Sequence, residues 1–391
     1  MTVPFEIRLT DLSGQPVQAL AEITHSGLGG LQIDVVTTDP DGKLCFAVTA
    51  WSEMRVVFYG GYWTLLLDAN HVSTPQVCPQ LPGCCGRMWW HEILGLDVPD
   101  PFAGKDITIG VVDTPFARTP GLEHVTVRNI AGNPSTGGAG TLPSHGETVC
   151  RLIGQRMDNP MHFGGVSPGA NRICLDAEQD ATLNTAVASA AIVKLARDYN
   201  CDIINLSAGR RVPTEGLRQA ISEAREYGAL CVVAAGNEPL AQVSYPARYH
   251  ESIAVGAIGL RDWGPPPSYC RALSDFASSQ ADMVGRIAGV DIFHYPNSAY
   301  GQGLDVVGPG VGLIIHRGAE PIYDAIGTSF SAPLVAGLLA VILGKSDAYR
   351  TLPRGPERAA FAEQALWAVC QRTGMGLERE GRGLPRLLNG F

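Results

Sequence analysis

The sequence lacks any run of the roughly 18 to 20 apolar residues that a membrane-spanning helix needs. Its first residues, MTVPFEIRLTDLSG, also lack the basic start and apolar stretch of an export signal, which predicts a cytoplasmic protein. Long runs of one charge are missing too, because 38 acidic and 29 basic residues are interspersed and give a net charge of −9. We therefore expect neither a membrane nor a nucleic acid as a partner.

Cysteine is present, with ten residues, but a chain of 391 residues can bury a core without disulfides. Cys150, Cys174, Cys201 and Cys231 lie in or beside apolar runs, where we expect them to be buried. This pattern favours reduced thiols in a cytosolic protein.

One local cluster of candidate metal ligands comprises Cys78, Cys84, Cys85 and His91. Its spacing departs from the paired spacing that is common in zinc sites. We therefore favour an interpretation as linker cysteines over a zinc site.

The chain divides into three parts by composition. Residues 1–72 alternate apolar and polar positions in short segments separated by turns, which predicts an all-β accessory domain. Its segments DLSGQPV and TDPDGK resemble those of immunoglobulin-like or carboxypeptidase-regulatory-like β-sandwich modules. Residues 73–100 are rich in Pro, Gly and Cys and contain MWWHEILGL, which predicts a linker that ends in a short docked helix.

Residues 101–391 alternate buried apolar strands with amphipathic helices. This order predicts an α/β domain with a mostly parallel, doubly wound sheet that is covered by helices on both faces. Ligands of such sheets bind at the carboxyl ends of the strands. The stretch 260–299 is long for such a domain, and we expect a surface insertion there, with a lid or an exosite as alternatives.

Three polar residues stand where this architecture would expose them. Asp113 ends the strand ITIGVVD, and His145 follows Ser144, which can cap a helix. Ser329 follows Gly327 and precedes a long apolar helix, so its hydroxyl should project from a helix amino terminus. Each residue by itself has an ordinary structural explanation.

Taken together, these segments resemble the motifs of the subtilisin-like serine proteases, the subtilases, in the order Asp, His, Ser. GTSFSAPLVAG nearly repeats the serine motif of that family, and INLSAG, VVAAGN, YPARY and LDVVGPG match further segments. The resemblance extends from about Trp89 to the carboxyl end. It implies a subtilisin-like fold and a serine endopeptidase whose chemistry requires no cofactor.

The resemblance also implies roles for individual residues. Asp113, His145 and Ser329 would form the catalytic triad, in which the histidine takes the serine proton and the aspartate orients the histidine. The Asn237 side chain and the Ser329 N–H would bind the oxyanion. The pocket for the residue before the scissile bond would use small residues, namely Ser207, Ala208, Gly209, Ala234, Ala235, Gly236 and Ser244.

Some positions depart from the pattern of the family. Pro115, Glu147 and Leu334 replace the usual glycine, threonine and histidine, but none of these changes removes a catalytic atom. Arg210 and Arg211 stand where small residues are usual, which indicates either a preference for acidic residues near the cut or a solvated loop.

A calcium site is frequent in the family, and Asp158 and Asn159 lie in a suitable loop. The ligand pattern around them is too incomplete to predict a calcium ion.

The expected function is hydrolysis of peptide bonds in a peptide or protein substrate by a selective intracellular processing protease. Leader-peptide maturation and a signal-activated effector protease are alternatives. A different class of function would be a pseudoprotease that binds a partner protein through its amino-terminal β domain.

Overall fold

The structure is a computed structural model that describes residues 3–27, 30–48, 53–68, 75–83, 86–135, 142–179, 182–239, 241–318 and 320–388. We call residues 3–83 the β region and residues 86–388 the α/β region. The described strands of the β region are β1 (Val3–Thr10), β2 (Leu20–Gly27), β3 (Gly30–Thr37), β4 (Lys43–Val48), β5 (Glu53–Tyr59), β6 (Leu65–Asp68) and β7 (Gln76–Val77).

The strands of the α/β region are β8 (Thr108–Asp113), β9 (Val125–Arg128), β10 (Asn171–Asp176), β11 (Glu178–Gln179), β12 (Thr182–Leu183), β13 (Ile203–Leu206), β14 (Leu230–Ala234), β15 (Ser252–Leu260), β16 (Val284–Ile287), β17 (Val290–His294), β18 (Val306–Pro309), β19 (Val311–Arg317), β20 (Glu320–Ile326), β21 (Cys370–Gln371) and β22 (Leu384–Pro385). Its helices are α1 (Trp89–Ile93), α2 (His145–Gly154), α3 (Thr185–Arg197), α4 (Glu215–Glu226), α5 (Tyr269–Ser278), α6 (Thr328–Gly344), α7 (Asp347–Thr351), α8 (Pro356–Ala368) and α9 (Leu377–Glu380). A 3-10 helix spans Ala281–Met283.

Two small sheets of the β region enclose one apolar core. One sheet has the order β4-β1-β7 and the other has the order β3-β2-β5-β6. Ile7 and Leu9 of β1 face Ile23 of β2 and Phe58 of β5 inside this core, and all four side chains are fully buried. The alternation along β1, with buried Ile7 beside exposed Glu6, is the period of two that a one-sided strand requires. The expected all-β unit is therefore confirmed.

The main sheet of the α/β region has the order β16-β17-β15-β14-β13-β8-β10-β9, and β18 also pairs with β15. Pairing is parallel from β9 to β15 and in the β15–β18 pair, whereas β16 and β17 form an antiparallel hairpin at the edge. The predicted doubly wound α/β fold is confirmed.

Helices cover this sheet on both faces, which explains its continuous apolar strands. Ile109 and Val111 of β8 belong to one core, which they share with α2, α6 and α8. Val112, the next residue, belongs to the other core, which it shares with α3 and α4. Helix α6 lies between neighbours on all sides, so its 17 residues are almost entirely buried.

The segment 260–299 forms α5, the 3-10 helix and the β16–β17 hairpin, so it extends the main sheet. It also supports the β region, since the indole rings of Trp263 and Trp63 meet edge to face at 5.6 Å. The Tyr269 N–H donates to the Thr64 carbonyl at 2.7 Å. This segment therefore extends the main sheet and packs against the β region, and its being an insertion relative to the family stays a prediction.

The linker predicted at 73–100 packs against both regions. β7 pairs in parallel with β1, and α1 buries Trp89, Trp90 and Ile93 in the α/β core. The division of the chain at residues 72 and 100 stays a prediction. Within the described ranges, no helix is both long and apolar enough to cross a membrane.

Candidate active site

Asp113 and His145 form a hydrogen bond at the carboxyl end of β8. His145 Nδ1 lies 2.8 Å from Asp113 Oδ1, and the Asp113 residue is 8% exposed. The same oxygen accepts the Thr114 N–H at 2.8 Å. Because an ionised carboxylate can only accept, Nδ1 carries the proton, and His145 Nε2 keeps the lone pair that a general base needs.

Local chain geometry holds the histidine in this position. Ser144 Oγ caps α2 by accepting the Glu147 N–H at 3.1 Å, which places His145 at the first helical position. The Gly146 N–H donates to Thr114 Oγ1 at 2.8 Å. A Cβ atom on Gly146 would lie 2.1 Å from the Thr114 carbonyl oxygen, so only glycine permits this close approach.

Ser329 lies in the first turn of α6, after Gly327, whose φ of +146° favours glycine. The next side chain, Phe330, packs its ring against the His145 imidazole with a centroid distance of 5.2 Å. Ser207 Oγ donates to the Ser329 carbonyl at 2.7 Å. The amino terminus of α6 is therefore held between the histidine and the end of β13.

Asn237 follows β14 and meets the same helix end. Its Oδ1 accepts the Thr328 N–H at 2.8 Å and the Thr328 hydroxyl at 2.9 Å. Since a backbone N–H can only donate, this contact fixes the orientation of the amide and leaves Nδ2 as a donor. The Ser329 N–H belongs to the first helical turn, whose N–H groups have no intrahelical acceptor. Such a pair of donors at a helix amino terminus suits a developing negative charge.

The seven residues expected to line a substrate pocket converge beside this helix end. The Ser244 N–H donates to the Ala235 carbonyl at 2.8 Å. A Cβ on Gly209 would lie 3.1 Å from the Ser244 Cβ, and one on Gly236 would lie 2.5 Å from the Ser244 Oγ. Ser244 thus lies between the two chain segments that follow β13 and β14, which are formed by Ser207, Ala208 and Gly209 and by Ala234, Ala235 and Gly236.

The two arginines near this pocket differ in their surroundings. Arg211 Nε lies 2.5 Å from Glu238 Oε2, so a carboxylate beside Asn237 offsets its charge. The Arg210 backbone pairs with Tyr245 in both directions at 2.8 Å, which leaves its exposed side chain at the pocket rim. The expected preference for acidic residues near the cut stays a prediction, and Arg210 is the residue on which it would depend.

Glu147, which departs from the family pattern, makes contacts that the motifs in the sequence do not predict. The structure buries Glu147 to 3% exposure and pairs its Oε1 with Arg151 Nε at 3.0 Å and Nη2 at 2.8 Å. Burial lowers the pKa of Arg151, while the Glu147 carboxylate opposes that shift. The only local signal was the spacing of Glu147 and Arg151, four residues apart on one helix.

The other candidate ligands do not assemble a metal site in the described part of the chain. His91 Nδ1 accepts the Met88 N–H at 3.1 Å, and Nε2 donates to the Gly164 carbonyl at 3.0 Å, so the protein occupies both ring nitrogens. Cys78 is buried, whereas Cys84 and Cys85 lie outside the described residues.

In the loop considered for calcium, Asn159 makes contacts within its own loop. Asn159 Oδ1 accepts the Met161 N–H at 2.9 Å, and its amide nitrogen lies 3.1 Å from the His162 ring. These contacts orient the Asn159 amide, and calcium binding stays untested.

Comparison with known proteins shows which proteins this chain resembles. The Subtilase family model (Peptidase_S8) matches residues 104–354. Subtilisin Savinase of Lederbergia lenta is 27% identical over 247 residues, which are 63% of this chain and 79% of that protein. The M-protease of Shouchella clausii (strain KSM-K16) is also 27% identical over 63% of this chain, but the match spans only 56% of that relative.

A solved structure from work on proteases of Pseudoalteromonas arctica PAMC 21717 is similar in fold, with a TM-score of 0.55. The match covers 76% of this chain and 94% of that chain at 19% identity. At this identity the likeness concerns the fold alone. Because the family model covers more than half of the chain, the chain belongs to the Subtilase family.

Proposed function

We propose that this protein is a serine endopeptidase with Asp113, His145 and Ser329 as its catalytic triad. The observation that carries the proposal is the 2.8 Å hydrogen bond between His145 Nδ1 and Asp113 Oδ1, next to the helix end that bears Ser329. Membership of the Subtilase family supports the same chemistry.

In this mechanism His145 Nε2 takes the Ser329 proton as the hydroxyl oxygen attacks the peptide carbonyl. Asp113 stabilises the imidazolium that forms. His145 then gives the proton to the leaving amine, so the carbon–nitrogen bond breaks and an acyl-enzyme remains. A water molecule, deprotonated by His145, hydrolyses that ester and restores the serine.

The negative charge on the former carbonyl oxygen would be bound by Asn237 Nδ2 and the Ser329 N–H. Both donors are held before substrate arrives, because Thr328 fixes the amide and the helix fixes the backbone. Fixed donors need no reorganisation as the charge develops, which is the source of their effect on the rate.

On the acyl side, the pocket around Ser244 would take the side chain that precedes the scissile bond. Its walls are small residues, so we expect it to accept a large apolar side chain. The backbone of the segments after β13 and β14 can pair with an extended peptide as an added strand.

For the biological role we propose selective processing inside a bacterial-type cell. The eight cysteines that the structure describes are free thiols, which suits a reducing compartment. Two narrower roles are maturation of leader peptides and cleavage by an effector protease that is activated by a signal. Fractionation of expressing cells tests the location, and recovery of the protein outside the cytoplasm would contradict it.

A fluorophosphonate probe separates the peptidase from a partner-binding pseudoprotease, because only an activated serine reacts quickly. We expect rapid labelling of the wild type and none of Ser329→Ala. Incubation of both proteins with cell lysate, followed by mapping of new peptide ends, would then report the cleavage sites. An unlabelled, folded wild type would favour the pseudoprotease.

A further inference from the structure

A cavity of about 330 Å³ lies between the β region and the α/β region, and His145 is one of its lining residues. Glu22, Arg55 and Tyr59 line it from the β region, and His145, Asp324 and Phe330 line it from the α/β region. One water occupies roughly 30 Å³ in the liquid, so the cavity has room for a long side chain.

The strand period explains why charged residues of the β region face this cavity. Glu22 of β2 and Arg55 of β5 point away from the core of the β region, which their neighbours Ile23 and Val56 enter. Val57, on the same outward face as Arg55, packs into the core of the α/β region. This face is therefore docked against the α/β region.

Polar and aromatic contacts join the two walls of the cavity. Asp324 Oδ1 accepts the Thr64 N–H and the Thr64 hydroxyl, both at 2.7 Å. The rings of Tyr59 and Tyr323 lie 5.1 Å apart between centroids. These contacts fix the β region next to the catalytic histidine.

The position of the cavity indicates which part of a substrate would reach it. In the proposed mechanism the acyl side of the substrate lies near Asn237 and Ser244, whereas the leaving amine receives its proton from His145. His145 and Phe330 form part of the cavity wall. Residues that follow the scissile bond would therefore enter it.

The charges of the cavity are unbalanced. Asp324 Oδ2 is buried and has no hydrogen-bond partner among the described residues. Burial raises the pKa of this carboxyl to about 6 although Thr64 and Arg55 oppose the shift, so it is ionised at neutral pH and above. Glu22 adds a second carboxylate, whose Oε2 accepts the Tyr59 hydroxyl at 3.2 Å.

The Arg55 guanidinium opposes these two carboxylates. Its Nη2 donates to Thr24 Oγ1 at 3.4 Å, and its charge offsets one of the acids. The remaining wall is apolar or aromatic, with Phe330 and Tyr59 among its residues. A long side chain with an apolar stem and a cationic head matches this combination.

We propose that the β region completes the substrate groove on the leaving side and selects a lysine or arginine among the first residues after the scissile bond. Glu22 and Asp324 would bind the cationic head, and the aromatic wall would contact its stem. The inference rests on the proposed peptidase function and adds a substrate class to it.

The test uses the full-length wild type and quenched fluorescent peptides that are identical before the cut. They carry Lys, Arg, Ala or Glu at the first or second position after it. We expect kcat/KM to be roughly tenfold higher with Lys or Arg than with Ala, the size of a hydrogen bond to a charged group. Equal rates, or a preference for Glu through Arg55, would overturn the proposal.

Substitution then assigns the preference to the cavity. Glu22→Gln should reduce the ratio of kcat/KM between the Lys and Ala peptides severalfold. Glu6→Gln is the matched control, because Glu6 lies on the outer side of the β region, where it pairs with Lys43 at 3.1 Å. An unchanged ratio in Glu22→Gln would contradict the proposed site.

A chromogenic anilide with no residue after the cut separates this inference from the peptidase proposal. If the wild type reacts with fluorophosphonate and cleaves the anilide but shows no leaving-side preference, only the subsite is wrong. If it does neither, the peptidase proposal itself fails.

Discussion

Arg317 Nη2 donates to Glu147 Oε1 at 3.1 Å, although the two residues are 170 positions apart in the sequence. Glu147 lies in α2, two residues after His145, and Arg317 ends β19. The ion pair therefore ties the helix that carries the candidate base to the β19–β20 hairpin. Strand β20 of this hairpin ends one residue before the Gly327 turn.

Loss of the Glu147 charge should destabilise the fold strongly. In Glu147→Gln the Arg151 guanidinium, whose side chain is 1% exposed, would keep its charge without a carboxylate partner. Leaving such a buried charge unpaired typically costs about 3 to 5 kcal/mol. Urea unfolding should show that the free energy of unfolding decreases by about 3 kcal/mol. Glu92→Gln, which removes an exposed pair with Arg87, is the control and should change little.

Asn237 offers a test that separates catalysis from structure. Asn237→Asp can still accept both hydrogen bonds from Thr328 but lacks the Nδ2 donor. We expect kcat to fall by about 100- to 1000-fold, the size measured when a subtilisin loses one such donor, while the melting temperature stays close to that of the wild type. Asn237→Ala should lose both activity and some stability. A kcat for Asn237→Asp near that of the wild type would remove Asn237 from the oxyanion site.

Gly146→Ala should disturb the Asp113–His145 pair. The added Cβ would lie 2.1 Å from the Thr114 carbonyl oxygen, so α2 must move away from β8. Overpacking of this kind costs about 1 to 3 kcal/mol, and the rate of fluorophosphonate labelling should fall with it. Gly83→Ala, where the new Cβ has nothing within 4 Å, is the matched control. Equal labelling rates in the two variants would argue against the close approach.

His91 should make stability depend on pH. Burial lowers its pKa from the usual 6.5 to about 4, and protonation of Nδ1 would break the bond from Met88. Between these values the unfolded chain binds the proton and the folded chain does not. The His91 contribution is therefore complete above about pH 6.5 and is lost as the pH falls towards 4, by roughly 3 kcal/mol.

Denaturant unfolding of wild type and His91→Gln at pH 7 and pH 4.5 measures this effect. We expect the stability difference between the two proteins to shrink at the lower pH. His250→Gln, at a position whose side chain is 81% exposed, is the control. A difference that stays constant with pH would show that folding does not lower the pKa of His91.

Much of the fold and of the candidate site could be predicted from sequence because the relevant signals are local. The apolar run that ends in Asp113 has to be a strand buried on both faces, since a polar residue appears only where the strand leaves the sheet. Gly327 followed by a long apolar stretch marks the start of α6, because the chain there needs φ of +146°.

Tertiary structure alone decided which distant side chains meet. No local pattern indicates that Thr64 binds Asp324, that Arg317 reaches Glu147, or that 260–299 supports the β region. The sequence by itself determined which faces of each element are apolar and where the reactive groups leave the sheet. Docking of the β region depends on the shapes of two assembled surfaces, and the charged cavity beside His145 forms only when they meet. Hydrophobic periodicity carries no information about those shapes.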